Sequence, residues 1–353
     1  MKSIDLFAGA GGLTLGLHLA GWDTVLAVEF DRYACATYRH NFPAVEVIEQ
    51  DINSLSFVQW RGVVDLVAGG PPCQPFSVAG KQRSKEDPRD CVPSFIRVVK
   101  EVQPMAFLME NVWGLELRRH RAYLLNAIEQ LTELGYVVRR SVLDAAEYGA
   151  PQHRKRLIVV GMRHRPFVFP APTHGPRGQM PFVTAGAALR NPPPDLPNTA
   201  KIVYAKDPVL RPQPWDGMMV NGQGRPINLE EPCQTIPASA GGNRTHILDP
   251  RGVLVAYHAH LRSGGAPRIG EVEGVRRLTV AESARIQGFP DEFSFLGPQS
   301  KRYSQVGNAV PPPLARAVAR ALAEQLAAEP MDADPLEDEP YQLSLEYGLA
   351  ASG

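Results

Sequence analysis

Six apolar, β-branched runs recur over the first 165 residues: SIDLF (3–7), TVLAVEF (24–30), VVDLVAG (63–69), MAFLMEN (105–111), VVRRSVL (137–143) and RLIVVGM (156–162). Each has the length of a buried strand. Between them lie segments with helical spacing. Over 121–135, Leu124, Ile128, Leu131 and Leu134 share one face, and Gly135 supplies a stop, as Gly21 does after the helix expected over 12–20. Strands that alternate with helices predict an α/β fold, a mostly parallel sheet covered by helices.

The pattern breaks near residue 165. Residues 166–275 are rich in Pro, Gly, Asn and Arg, and PFVFPAPTHGPRG and RNPPPDLP exclude long helices. Interleaved Trp215, Ile227, Ile236, Ile247 and VLVAY (253–257) predict a small loop-rich domain rather than disorder. Regular structure returns at RLTVAESARIQGFP (277–290), where Thr279 and Glu282 predict a capping box. A last amphipathic helix over 312–327 is expected to pack on the sheet. The organisation read from the sequence is therefore 1–165, a 166–275 insertion, a return over 276–328, and an acidic tail, 329–353, expected to be disordered.

Charge becomes informative once that tail is set aside. The whole chain carries 37 acidic and 37 basic residues. Seven of the acids and none of the bases follow residue 328, so 30 acids face 37 bases in the body. The bases cluster at 118–121, 139–140, 153–156 and 163–165. Such clusters are compatible with phosphate binding and equally with a solvated surface. No apolar run reaches the roughly 18 residues of a membrane helix, and no signal-peptide pattern precedes the first strand, so a cytoplasmic protein is expected. The four cysteines, Cys35, Cys73, Cys91 and Cys233, form no CxxC pair and no metal-ligand spacing, so reduced thiols acting singly and no metal are expected.

Three features fall at the C-terminal ends of the expected strands, where open α/β sheets bind ligands, and a fourth, QHRKR, lies just before a strand. DLFAGAGGLTLGL (5–17) runs from strand through Gly9, Gly11 and Gly12 into helix. Thr14 replaces the third glycine of a dinucleotide fingerprint and no Walker lysine follows, so a nucleoside fits better than a pyrophosphate. Glu29, ending the next strand, is placed to grip ribose hydroxyls, and Asp51 follows VEVIEQ. In GGPPCQPFS (69–77), prolines hold Cys73 in a rigid loop, as suits a positioned nucleophile, although a lone cysteine is more often structural. Glu110 ends another strand, as a capping acid also would. QHRKR (152–156) places Arg154 and Arg156 on one face of extended chain, as a solvated basic loop also would.

Taken together and in order, DLFAGAGG, GGPPCQPFS, ENV, QHRKR and QVGNAVPP (305–312) resemble the C5-cytosine DNA methyltransferases over residues 3–165 and 275–320. The resemblance implies a Rossmann-like S-adenosylmethionine-dependent catalytic domain, with 166–275 as its target-recognition domain. It implies that Cys73 adds to carbon 6 of a cytosine flipped out of duplex DNA. Glu110 is then expected to hold the N3 and amino edge through a protonated or shared-proton carboxyl, which burial would favour. Of Arg154 and Arg156, one is expected to contact the cytosine O2 and the other to brace the site. For S-adenosylmethionine the resemblance implies Phe7, Gly9, Gly11, Leu13, Glu29, Phe30, Asp51, Ile52, Pro71 and Asn308. Residues 77–90 correspond to a loop that closes over DNA, with Ser77, Lys81 and Arg89 on phosphates. Gln234, Thr235, Asn243, Arg225 and Arg244 are candidate DNA contacts in the recognition segment. DCVPSF (90–95) departs from the family, which has Gly and apolar residues there. A bacterial modification enzyme is expected, monomeric, with a possible restriction endonuclease acting on the same site. An RNA cytosine methyltransferase and a sequence-specific DNA-binding regulator are the alternatives.

Overall fold

A computed structural model describes residues 1–72 and 90–328. Cys73, Ser77, Lys81, Arg89 and the acidic tail lie outside the described residues.

Seven strands form the central sheet: β1 (Lys2–Leu6), β2 (Asp23–Glu29), β3 (Glu46–Glu49), β4 (Leu66–Gly69), β5 (Ala106–Val112), β6 (Val137–Asp144) and β7 (Lys155–Met162). Their order is β3-β2-β1-β4-β5-β7-β6. All neighbours are parallel except that β7 runs antiparallel to both β5 and β6. Each run read as a strand is one. The VVDLVAG strand is shorter than expected: Val63 is exposed, and the ladder with β1 starts at Leu66. The chain moves outward through β1, β2 and β3 and then returns to the other side of β1 as β4. Adjacent strand ends there diverge in their onward connections, which opens a crevice at the C-terminal edge.

The connecting helices are α1 (Gly12–Leu19), α2 (Arg32–Asn41), α3 (Val92–Val102) and α4 (Arg121–Glu133). Alternation along the strands sorts side chains between two faces. Ile4, Leu6, Phe107, Met109, Leu157 and Val159 pack with α3 and α4 through Phe95, Val99, Leu124 and Leu131. Leu66, Ala68, Leu108, Ile158 and Val160 pack on the other face with Leu13 and Leu17 of α1.

The remaining elements are short. Helix α5 (Ala185–Ala188), strands β8 (Tyr204–Val209), β9 (Met218–Val220) and β10 (Ile247–Leu248), helix α6 (Val253–Arg262) and strand β11 (Arg276–Arg277) follow β7. The VLVAY run opens α6. Ile202, Met219, Val220, Leu254, Tyr257 and Val272 make a separate small core. Buried Arg277 knits this region, donating to the carbonyls of Ala200, Asn221 and Thr245. Then come α7 (Val280–Gln287), α8 (Gln299–Asn308) and α9 (Pro312–Ala327). The Thr279–Glu282 capping box is present. Among the described residues no helix is long and apolar enough to cross a membrane.

Helix α9 lies against α1, so the last helix packs on the first. Gly16 permits the approach: a Cβ there would stand 2.3 Å from Ala315 Cβ and 2.7 Å from the Arg316 nitrogen. Gly→Ala in a helix interior normally stabilises by about 0.5–1 kcal/mol. Here Gly16→Ala is expected to destabilise instead, by about 1–3 kcal/mol through overpacking, read as a lowered midpoint in urea unfolding followed by circular dichroism.

Candidate active site

The C-terminal edge of β1 carries unusual backbone. Phe7 sits at φ 56°, a left-handed conformation that costs a bulky residue about 1–3 kcal/mol. Gly9 (φ 55°) and Gly11 (φ 93°) continue the turn into α1, and Gly11 caps the helix without a side-chain bond. The Glu29 carboxylate fixes this loop to the end of β2. One of its oxygens accepts from the Gly9 N–H at 2.9 Å, and the other from the N–H groups of Phe30 and Asp31 at 2.8 Å. Beneath lies a buried chain in which Thr14 donates to Asp5 Oδ2 at 2.6 Å and meets the Tyr38 hydroxyl at 2.6 Å. Burial pushes the Asp5 carboxyl up to about 7, against the Thr14 bond and with help from the Glu29 charge, and Asp5 Oδ1 has no protein partner.

Asp5, Phe7, Gly9, Glu29 and Asp31 line one wall of a cavity of about 1460 Å³. Phe7, Gly9, Leu13, Glu29, the exposed ring of Phe30, Pro71 and Asn308 all face it. Three expected cofactor residues do not. Gly11 is pressed on the rings of Phe42 and Tyr38, where a Cβ would stand 2.3 and 3.1 Å away. Asp51 caps a single turn, Ile52–Ser54, accepting from the Asn53 N–H, and Ile52 is in the core.

The opposite wall comes from β4, β5 and β7. Asn111 donates to the Pro71 carbonyl at 3.0 Å and the Cys91 N–H to that of Pro72, which fixes the strand exit leading to Cys73. Glu110 lies over Gly70, whose missing Cβ would be 3.2 Å from Glu110 Oε2. Because β7 is antiparallel to β5, its start lies at the end of β5, with Arg156 opposite Val112. Arg156 Nε thereby reaches Glu110 Oε1 at 2.7 Å. Glu110 therefore has a guanidinium fixed to one of its oxygens, a charge-assisted hydrogen bond between largely buried partners.

Arg154 has a different setting. It is buried and donates to the carbonyls of Ile236 at 2.9 Å and Gly307 at 2.6 Å, while its Nε has no partner. Burial and the neighbouring Arg156 charge both disfavour its charged form, and Glu110 opposes them. Buried Gln152 accepts from the Ile236 N–H and donates to Gln287, which in turn donates to the Val306 carbonyl. The 166–275 insertion is tied to the start of β7 and to α7 and α8 by these bonds. Thr235 joins them through its hydroxyl, which donates to the His153 carbonyl, and it lines the cavity. Gln234 donates instead to the Trp215 carbonyl, and Arg225 stands 4.0 Å from Asp216. Exposed Asn243 and Arg244, on the turn Gly242–Arg244, lie off the cavity wall.

A single family model, C-5 cytosine-specific DNA methylase, matches residues 1–324. The chain belongs to this family. It is a DNA cytosine-5 methyltransferase. It is 37% identical to the Type II methyltransferase M.PspPI of Psychrobacter sp., over 93% of this chain and 80% of that protein. It is 34% identical to M.NgoMIV of Neisseria gonorrhoeae, over 93% of this chain and 98% of that protein. The fold is similar to that of Spodoptera frugiperda DNMT2, with a TM-score of 0.66 at 20% identity, covering 91% and 99% of the two chains.

The methyltransferase cavity also contains residues that the motif reading did not single out: Asp5, Asn111, Trp113, Asp144, His153 and Lys301. Asp5 carried a signal, an acid inside an apolar strand. His153 and Asp144 carried none, because their pairing depends on how β6 and β7 align. His153 Nδ1 lies 3.0 Å from Asp144 Oδ2, and Asp144 Oδ1 accepts from the Arg154 N–H. Burial alone would raise the Asp144 carboxyl, but the bonds from His153 and the Arg154 N–H hold it below its ordinary range. The Asp144 bond raises His153 above its usual 6.5 against partial burial. For a raised histidine, the pairing stabilises the fold fully below pH 6.5, and this contribution is lost as pH rises through the folded-state value. In an NMR titration His153 is expected to titrate above 6.5 in the wild type and to fall toward that value or below it in Asp144→Asn. An unchanged midpoint would exclude the pairing.

Proposed function

We propose that the chain methylates carbon 5 of a cytosine extruded from a specific duplex DNA sequence and so protects that sequence from a restriction endonuclease. The observation that carries this reading is the Arg156–Glu110 pair facing the Gly70–Pro72 strand exit, in one cavity with the Glu29–Phe30 wall.

Carbon 5 of cytosine is a poor nucleophile until a thiolate adds at carbon 6. Cys73, the residue after cavity-lining Pro72, supplies that thiolate. Arg154 and Arg156 against Glu110 leave a cationic surplus in the cavity, and nearby cations favour a thiolate. Glu110 holds the N3 and amino edge and shares a proton with N3 as the thiolate adds. Arg156, on the cavity side, contacts O2, and Arg154, bound to two carbonyls, is the brace. After methylation, loss of the proton at carbon 5 and release of Cys73 restore the aromatic ring.

The cavity fits S-adenosylmethionine, which supplies an electrophilic methyl group when bound. Unpartnered Asp5 Oδ1 and the uncapped α1 N-terminus offer an acceptor and donors of the kind its amino acid moiety requires. Glu29 would hold the ribose, Phe30 would cover the adenine, and Phe7 would face the sulfonium. Gly9, Leu13, Pro71 and Asn308 complete this wall. Ser77, Lys81 and Arg89 would contact phosphates from the loop, while residues 166–275, with Gln234, Thr235, Arg225, Asn243 and Arg244, would read the sequence.

Incubation with duplex DNA and methyl-labelled S-adenosylmethionine is expected to label 5-methylcytosine. Cys73→Ala is expected to abolish transfer, and Glu110→Gln to slow it by about 10²–10⁴-fold. Absence of label with the wild type, or full activity of Cys73→Ala, would overturn the reading. Preference for transfer RNA over duplex DNA would redirect it to RNA. Bisulfite sequencing of DNA from cells with and without the gene identifies the modified site.

A further inference from the structure

We propose that Arg118, Arg119 and Arg121 form a second DNA-binding surface, a phosphate track that holds the duplex flanking the extruded cytosine. This inference rests on the DNA reading above and extends it beyond the cavity.

Strand β5 delivers Glu110 and then leaves the sheet at its C-terminal edge, where DNA must approach. The chain continues there as the turn Trp113–Glu116 and reaches α4 at Arg121. Trp113 lies on the cavity rim with 42% of its surface exposed, an unusual position for the largest apolar side chain. Arg118, Arg119 and Arg121 follow within eight residues, and all three are exposed. Among the described residues none of the three makes an ion pair. Among the described residues, Glu116 binds Arg140 at 2.5 Å, and Asp90 accepts from the Tyr123 hydroxyl.

The placement is electrostatically unfavourable for the protein alone. The first turn of α4 carries no acid, and its positive dipole end faces these arginines, a juxtaposition of like charge. An aromatic side chain at the rim followed by unpaired cations matches a nucleic-acid strand leaving the cavity. Trp113 would meet a base or sugar, and the arginines would meet successive phosphates. The cations at the other sheet edge, near the start of β6 and the end of β7, do not share this position. Arg163, for example, is bound to the Pro104 carbonyl and packs on Tyr136.

The test measures binding of a random-sequence duplex of about 30 base pairs by fluorescence anisotropy across a salt series. For each phosphate contact removed, the slope of log K against log[salt] should flatten by about 0.9. Arg118→Ala/Arg119→Ala/Arg121→Ala is expected to flatten it by about two to three and to weaken binding uniformly across sequences. The all-lysine triple variant should restore the slope, which separates charge from folding. Lys100→Ala/Arg139→Ala/Arg165→Ala removes the same charge from the opposite edge and should leave the slope near that of the wild type. An unchanged slope in the first variant, or equal flattening in both alanine variants, would overturn the proposal. Methylation by the wild type is scored separately. A methylating enzyme whose slope does not depend on this cluster refutes the track alone, and a dependent slope without methylation refutes the functional reading alone.

Discussion

The guanidinium of Arg154 is the tie on which the cavity depends. Dehydrating such a charge costs several kcal/mol, and each hydrogen bond it makes to a carbonyl returns about 1.5–3 kcal/mol. With two such bonds and an unpartnered Nε, the net contribution to stability is close to nil. What the residue achieves is geometric. The Ile236 carbonyl comes from the 166–275 insertion and the Gly307 carbonyl from the end of α8, and a planar fork can hold both at fixed separation where an ammonium cannot. Gln152 adds a directional amide chain through Ile236, Gln287 and Val306. Segments far apart in sequence thereby become one wall, and Arg156, two residues on, is left facing inward.

Electrostatics then divides the site into two regions. At the cofactor wall, carboxylates dominate: Glu29 is saturated by backbone N–H groups on one oxygen, while Asp5 is buried beneath the loop. At the base wall, two guanidiniums surround one carboxylate. On the function proposed above, the first arrangement would receive a ligand with hydroxyls and a sulfonium, and the second would favour addition of an anionic sulfur to a neutral ring.

Much of this was legible in the sequence, and the reasons differ by residue. The inner strands are buried on both faces and appear as continuous apolar runs, whereas β3, a short edge strand with exposed Glu46 and Glu49, has no such run. Glu29, Glu110 and the glycine turn stand where strands end, so their location followed from the strands themselves. The Thr279 cap is local chemistry and was readable for that reason. The Arg154–Arg156 distinction was not, because both lie in the same five-residue motif and differ only in which distant carbonyls or carboxylate meet them. His153 and Asp144 pair through strand register, which pattern alone does not specify. Asp51 and Ile52 matched a motif but stand off the cavity wall, one capping a turn and the other in the core. Gly11 likewise serves packing on Phe42 and a left-handed cap.

The contact of α1 with α9 has a consequence for how the enzyme comes into being. Every strand of the large sheet has been synthesised by residue 162, yet the cavity takes its lining from Asp5 through to Val310, and α1 waits for α9 to cover it. A nascent chain therefore has every strand of the sheet well before it has the residues that complete the cavity wall and the core on the α1 face.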